Sequence, residues 1–399
     1  MSPKKYALVL VVVFVAFFAG NLALWHGWVY PTFLAEIETG RGDLLRVGGI
    51  QRVDALTEPR IYASHHTEFA DWVKALQAGE RPTFDVITIG DSFCNGGGGA
   101  YWQDMLGRDT DLRILNVPAP TGQLNAVETF YLLDALGYLN LAQPKMILLE
   151  SVERYVDDRY GKELLKTPVR TDAELRQLIA PDTLAGPSPL PQAADAKAEL
   201  PAQGGAATAQ GEQTGTENQG EKRLDWLFPP VMLNANAQFV ANKLYTLRHP
   251  DQLSENTYYL TLTQPFFTNP GRENKLLFYA EEMVYLQHPI DVAQVNANLN
   301  TAAARAKKHG AKLFFMVATD KMDLYYPYLT PEEKAKWPAN FFFEDMAAVE
   351  KAYTFIDTRA LLRPSLASGE QDIWWQDDTH WSWKAEEILS AYLQNLFVD

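Results

Sequence analysis

Short β-branched and apolar runs, recurring between helix-like stretches, constrain this chain more than any other feature. Residues 85–89, 112–117, 145–151, 312–317 and 353–356 each read as a strand, with Val86-Ile87-Thr88-Ile89 and Met146-Ile147-Leu148-Leu149 the clearest. Near-continuous apolar runs of this kind suit strands buried on both faces. Helical spacing is expected from about residue 100, over 125–139, over 292–309 up to Gly310, over 341–352 and over 382–397. A glycine just past the last periodic residue is a common helix stop. Strands alternating with helices predict an α/β fold, a parallel sheet with helices on both faces. At 399 residues the chain is long enough for a sizeable core.

The N-terminus adds a second constraint. Lys4 and Lys5 precede an apolar run over residues 6–24, closed by Trp25, Trp28 and Tyr30. About 20 apolar residues suffice to cross a hydrocarbon core. The lysines are expected to stay cytoplasmic and the aromatics to sit at the far interface. A cleaved signal peptide is the rival, but no small-x-small site follows the run. The expectation is a membrane anchor over 1–30, a lead-in over 31–84 and the main domain over 85–399. The lead-in has helical spacing around Phe69, Trp72, Val73 and Leu76. Residues 184–222 have almost no large apolar side chains and are expected to be disordered. Residues 227–289, rich in aromatics and Asn, suggest a lid or substrate insertion.

A net charge of −15 argues against nucleic acid, which needs clustered Lys and Arg. With Cys94 as the one cysteine, no internal disulfide forms. No His/Cys/Asp group has metal-ligand spacing, and no metal or cofactor is expected. Gly96 to Gly99 are not followed by Gly-Lys-Ser/Thr, so they read as a turn and not a phosphate loop.

The chemistry concentrates in two stretches. Ser92 follows the 85–89 strand, and open α/β sheets carry their sites at the carboxyl ends of strands. Near the C-terminus stands Trp374-Trp375-Gln376-Asp377-Asp378-Thr379-His380-Trp381. A serine hydroxyl needs a base to act as a nucleophile, and the base needs an orienter. Of seven histidines, His380 alone has carboxylates just before it in a loop ahead of a helix. Either Asp378 or Asp377 is the orienter on spacing. Trp374, Trp375, Trp381 and Trp383 surround the histidine, for core packing or for sugar-ring contact.

Gly90-Asp91-Ser92 resembles the first block of the GDSL/SGNH hydrolases. Asp378-Thr379-His380-Trp381 resembles the Asp-x-His-Trp signature of SGNH-like polysaccharide O-acetyltransferases of the AlgJ/AlgX type. Serine first and Asp-His last is the usual SGNH order, shared with membrane-anchored DltD-like proteins; in the AlgJ/AlgX type the pair precedes the serine. The resemblance implies an SGNH-hydrolase-like three-layer α/β/α sandwich with Ser92, His380 and Asp378 catalytic. Asp377 matches the Asp-x-x-His spacing of ordinary SGNH hydrolases. It also implies an oxyanion hole from the backbone N–H groups of Ser92 and Gly122. Where the family has an asparagine, this chain has Glu150-Ser151-Val152-Glu153-Arg154. Lys321 and Tyr325 are similar to a Pro-x-Lys-x-x-x-Tyr region of the acetyltransferases. Asp91, Glu150, Arg154, Lys321, Tyr325 and Trp381 are accordingly expected around the substrate.

The implied function is O-acetylation of an exported polysaccharide through an acetyl-serine, outside a bacterial cytoplasmic membrane. A multipass, MBOAT-like membrane acyltransferase would relay the acetyl group. The alternatives are a carbohydrate esterase with the same triad and a non-catalytic polysaccharide-binding or scaffold subunit.

Overall fold

The computed structural model describes residues 2–31, 42–44, 63–119, 124–161, 171–190 and 232–398. Their strands are β1 (Thr67–Glu68), β2 (Val86–Gly90), β3 (Ile114–Pro118), β4 (Met146–Val152), β5 (Gln252–Ser254), β6 (Thr257–Thr261), β7 (Lys275–Tyr279), β8 (Lys312–Ala318) and β9 (Thr354–Asp357). Six of them form one parallel sheet in the order β1-β3-β2-β4-β8-β9. The five strands expected from sequence are its five inner and outer members β2, β3, β4, β8 and β9. From β2 the chain goes outward to β3, then returns past β2 to β4 and continues the other way. The carboxyl ends of β2 and β4 therefore flank the crevice where such sheets bind ligands.

Alternation along the strands sends side chains to two cores. Ile87, Ile89, Ile147, Leu149, Leu313, Phe315 and Val317 face the helices Phe69–Gln77, Ala126–Leu136, Val292–Lys308 and Phe342–Ala348. Val86, Leu148, Phe314, Met316 and Ile356 face the helices Trp102–Asp109, Thr358–Ala367 and Trp383–Val398. Local sequence sets the ends of these helices. Ala126–Leu136 starts on a reciprocal Asn125/Glu128 cap and stops at Gly137, whose φ of 89° suits glycine.

Several segments depart from expectation. The lead-in is part of the domain from residue 67. β1 pairs with β3, and Phe69, Trp72, Val73 and Leu76 enter the first core beside Phe84 and Tyr138. Residues 184–190, expected at the start of the disordered stretch, dock instead. Gln77 Nε2 donates to the Thr183 and Pro187 carbonyls at 2.9 Å, and Leu190 is buried in the same core. The rest of that stretch, and Gly122, lie outside the described residues. Within 227–289 the chain forms the helix Met232–Arg248 and an antiparallel sheet β5-β6-β7. At the N-terminus Pro3–Leu24 is helical and continues through a π-type turn, Trp25–Val29. This helix is long and apolar enough to cross a membrane, and its apolar side chains are exposed.

A polar seam ties the edge of the sheet to the helix Trp102–Asp109. His66 Nδ1 meets Asp104 Oδ1 at 2.6 Å and Nε2 meets Glu68 Oε1 at 2.8 Å. The imidazole is only 4% exposed and lies against the Tyr101 ring. Burial alone would lower its pKa, but the bonds to Asp104 and Glu68 and their charges raise it to about 9. A folded-state pKa above the unfolded value of about 6.5 means the contribution is complete below pH ~6.5. It then fades as pH rises through the folded value. Thermal unfolding from pH 6 to 10 should therefore show a fall in melting temperature across this window. His66→Gln should be less stable at pH 6 and lack that component of the fall. Parallel pH profiles for the two proteins would refute the assignment.

Candidate active site

The site begins where β2 ends. A Cβ on Gly90 would stand 2.3 Å from Glu150 Oε2 and 2.7 Å from Cys94 Sγ, so only glycine lets the strand pass β4 this closely. Asp91 turns inward. Its carboxylate accepts the N–H groups of Phe93 and Val152, both at 3.0 Å, and pairs with Arg159. Burial would raise its pKa, yet Arg159 and the two N–H donors hold it at about 2. Beneath it, Glu150 Oε2 accepts the Asp91 N–H at 2.9 Å. Burial and the Asp91 charge push the Glu150 carboxyl well above the usual range. Ser92, between these anchored neighbours, is exposed. Its N–H has no hydrogen-bond acceptor among the described residues.

The glycine run folds back over this turn. Gly97 N–H donates to the Ser92 carbonyl at 2.7 Å. A Cβ on Gly97 would fall 2.5 Å from His380 Nε2, and Gly98 has a φ of +86°. Asn95 Nδ2 closes the turn on the carbonyls of Gly90 and Asp91, at 2.9 and 2.6 Å. The glycines thus let backbone lie directly against the imidazole.

The histidine loop arrives from the other end of the chain. A bridge between Trp374 and Trp381 closes it, and Ser382 Oγ donates to the Asp372 carbonyl at 2.5 Å. Trp375 Nε1 donates to the Gly98 carbonyl at 2.8 Å, joining the loop to the glycine run. Phe93 packs on Trp374, His380 and Trp381. Trp374, Trp375 and Trp381 are buried in this packing and present no sugar-binding face.

These contacts align three side chains. His380 Nε2 lies 2.6 Å from Ser92 Oγ, and Nδ1 lies 2.6 Å from Asp378 Oδ1. The fully buried Asp378 also accepts N–H groups from His380 at 2.9 Å, from Asp43 at 3.2 Å and from Gly42. Burial raises its pKa, but the charge and hydrogen bonds of His380 and the backbone donors take it to about 2. Burial lowers the His380 pKa, and the charge and hydrogen bond of Asp378 outweigh it, for a net rise. Asp377 is buried too, but it is not a hydrogen-bond or ion-pair partner of His380. Spacing left Asp377 and Asp378 open as orienter; the geometry favours Asp378.

Asp43 had no signal in the sequence. Its carboxylate accepts the Thr379 N–H at 2.7 Å and the Thr379 hydroxyl, and lies 3.5 Å from His380 Nδ1. Burial, then the Asp378 charge, raise its pKa to about 6. Asp43, Asp378 and His380 are the one group of possible metal ligands among the described residues, with ligand atoms within 4.8 Å. The Asp378–His380 hydrogen bond and the Asp43–Thr379 bonds account for their closeness.

The other expected residues lie in the framework around the triad. Arg154 pairs with Asp320 at 2.5 Å, and not with Glu150. Lys321, fully buried, donates to the carbonyls of Leu277 at 2.9 Å and Gln376 at 3.2 Å. It thereby clamps the start of the histidine loop to β7. Burial lowers its pKa to about 8. Tyr325 is buried against Phe266 and Phe267. Together these contacts hold a solvent-facing hydroxyl beside a base whose tautomer is set, the arrangement for nucleophilic attack on an acyl group.

No protein-family model matches the chain, and comparison with curated proteins and with solved structures gives no match.

Two outcomes follow for Ser92 reactivity, read as the rate of labelling by a fluorophosphonate. Asp378→Asn should slow labelling by about 10³- to 10⁴-fold, close to the effect of His380→Ala, through loss of the correct tautomer. Asp377→Asn should retain most of the rate, and the reverse ranking would reassign the orienter.

Asp43→Asn removes one negative charge beside Nδ1, so the imidazolium loses its proton more easily. The acid limb of the labelling–pH profile should therefore move to lower pH. An unmoved limb, or one moved upward, would show that Asp43 does not act on His380.

Proposed function

We propose that this protein is a membrane-anchored serine O-acetyltransferase of the SGNH-like kind that acetylates an exported polysaccharide. The observation that carries the reading is the unbroken chain Ser92 Oγ–His380 Nε2 at 2.6 Å and His380 Nδ1–Asp378 Oδ1 at 2.6 Å. The Gly90-Asp91-Ser92 and Asp378-Thr379-His380-Trp381 resemblance supplies the reaction class. The apolar helix Pro3–Val29 supports a site held outside a bacterial cytoplasmic membrane.

In this mechanism Ser92 Oγ attacks the carbonyl of an acetyl donor while its proton passes to His380 Nε2. The Ser92 N–H faces the developing oxyanion, where a single such donor is typically worth about 10²–10³ in rate. Collapse of the tetrahedral intermediate expels the donor's leaving group, which takes the proton from His380. A sugar hydroxyl then attacks acetyl-Ser92, gives its proton to His380 and leaves as the acetyl ester, and Ser92 is reprotonated. Asp378 keeps Nδ1–H directed inward throughout, so that Nε2 serves as base and then as acid. The donor is an acetyl group presented at the outer membrane face, with a multipass acyltransferase as its source. Exposure of Ser92 favours one second reading, an esterase in which water replaces the sugar hydroxyl.

The test incubates the full chain with p-nitrophenyl acetate and maps acetyl groups by mass spectrometry. Acetyl on Ser92, transferred on addition of a β-linked oligosaccharide, is the expected result. Ser92→Ala should lower turnover by about 10³-fold or more. Loss of the acetyl group to water at the same rate with and without oligosaccharide would favour the esterase. No adduct and no turnover would remove the catalytic reading.

A further inference from the structure

The helix Met232–Arg248 has an apolar face that nothing in the proposed chemistry uses. Leu233, Ala237, Val240, Leu244 and Leu247 fall within about 80° of one another at 100° per residue. The four large ones are exposed: Leu233 by 45%, Val240 by 46%, Leu244 by 59% and Leu247 by 81%. A helix on an aqueous surface turns polar residues outward. This one presents a leucine-rich stripe over its whole length.

A different face of the same helix rests on the end of the N-terminal helix. Met232 and Ala235 are buried with Trp25 and Val29, and Phe239, Leu22 and Tyr30 pack around them. Asn236 Nδ2 donates to the Asn21 carbonyl at 2.9 Å and to its side-chain oxygen at 3.1 Å. Asn21 lies about 12 Å before Val29 along a helix of 1.5 Å rise per residue. The contact is therefore made alongside the apolar span and not beyond its end. The far end of the helix is fixed to the small sheet. Tyr245 OH donates to Gln252 Oε1 at 2.6 Å, and Thr246 Oγ1 is 3.3 Å from the Leu253 carbonyl.

We propose that the helix Met232–Arg248 lies in the outer interface of the membrane crossed by Pro3–Val29, with its leucine stripe among the lipid chains. The occupant is lipid because the stripe continues, at the depth set by Asn21 and Asn236, a surface that already faces lipid. Amphipathic helices of this kind lie in the interfacial plane with the apolar face immersed. Through β5 the helix also links that interface to the small sheet, whose β7 holds Lys321 and so the histidine loop. The active site would thus stand at a set orientation to the membrane surface. The inference rests on the reading that Pro3–Val29 spans the membrane, and the experiment separates the two.

Leu244→Cys, Val12→Cys and Lys307→Cys, each in the full chain, are nitroxide-labelled and reconstituted in phosphatidylethanolamine/phosphatidylglycerol vesicles. The buried Cys94 takes no label. Relaxation by oxygen, which partitions into lipid, is compared with relaxation by a water-soluble nickel chelate. Expected are oxygen-dominated signals at Val12 and Leu244 and a chelate-dominated signal at Lys307. A chelate-dominated Leu244 beside an oxygen-dominated Val12 would overturn the proposal and leave the anchor standing. A Leu244 label shielded from both agents would show the stripe covered by protein, which also overturns it. A chelate-dominated Val12 would remove the anchor and the proposal together.

Discussion

The carboxylate of Asp378 is the contact on which the candidate site depends. A fully buried charge is costly unless it is paired and hydrogen-bonded. Here both oxygens are occupied, by the Nδ1 and N–H of His380 on one side and by the N–H groups of Gly42 and Asp43 on the other. Those bonds draw together the C-terminal loop and the segment that follows the apolar helix. They also aim Nε2 at Ser92, since an imidazole donating from Nδ1 has Nε2 free to accept.

Around this contact, charged residues that resemble substrate ligands in the sequence carry the framework. Asp91 locks the serine turn to the end of β4 through the Val152 N–H and Arg159. Arg154 is neutralised by Asp320, and Lys321 is spent on two carbonyls. A buried donor or acceptor left unmatched costs about 1–3 kcal/mol, so each of these groups is held to its partner. What remains facing solvent is the Ser92 hydroxyl, with the tryptophans packed behind it. The shape of the site follows from this division: rigid polar anchoring below, an accessible nucleophile above.

The strand runs, most of the helices and the two stretches that carry Ser92 and His380 were legible in the sequence, for a common reason. Each rests on short-range pattern. Near-continuous apolar runs mark buried strands, Gly310 marks a helix end, and the Asp-Thr-His spacing lets a carboxylate reach Nδ1 within its own loop. That reach is local, so Asp378 was legible as one of two orienters without knowledge of the fold.

What the tertiary structure alone decided is everything that depends on distant segments meeting. Asp43 reaches His380 across more than three hundred residues, and no local spacing marks it. β1 is two residues long, too short for a period-two signal, and exists because β3 offers it an edge. Residues 184–190 look unable to pack by composition, yet Gln77 bonds the Pro187 carbonyl and Leu190 enters the first core. The preference for Asp378 over Asp377 belongs here too, because it rests on which carboxylate the folded loop brings to His380 Nδ1. Local pattern sets which residues are strand, helix or reactive. Pairing across the chain sets which of them are neutralised, buried or left to act, because burial and charge are properties of the neighbours that the fold assembles.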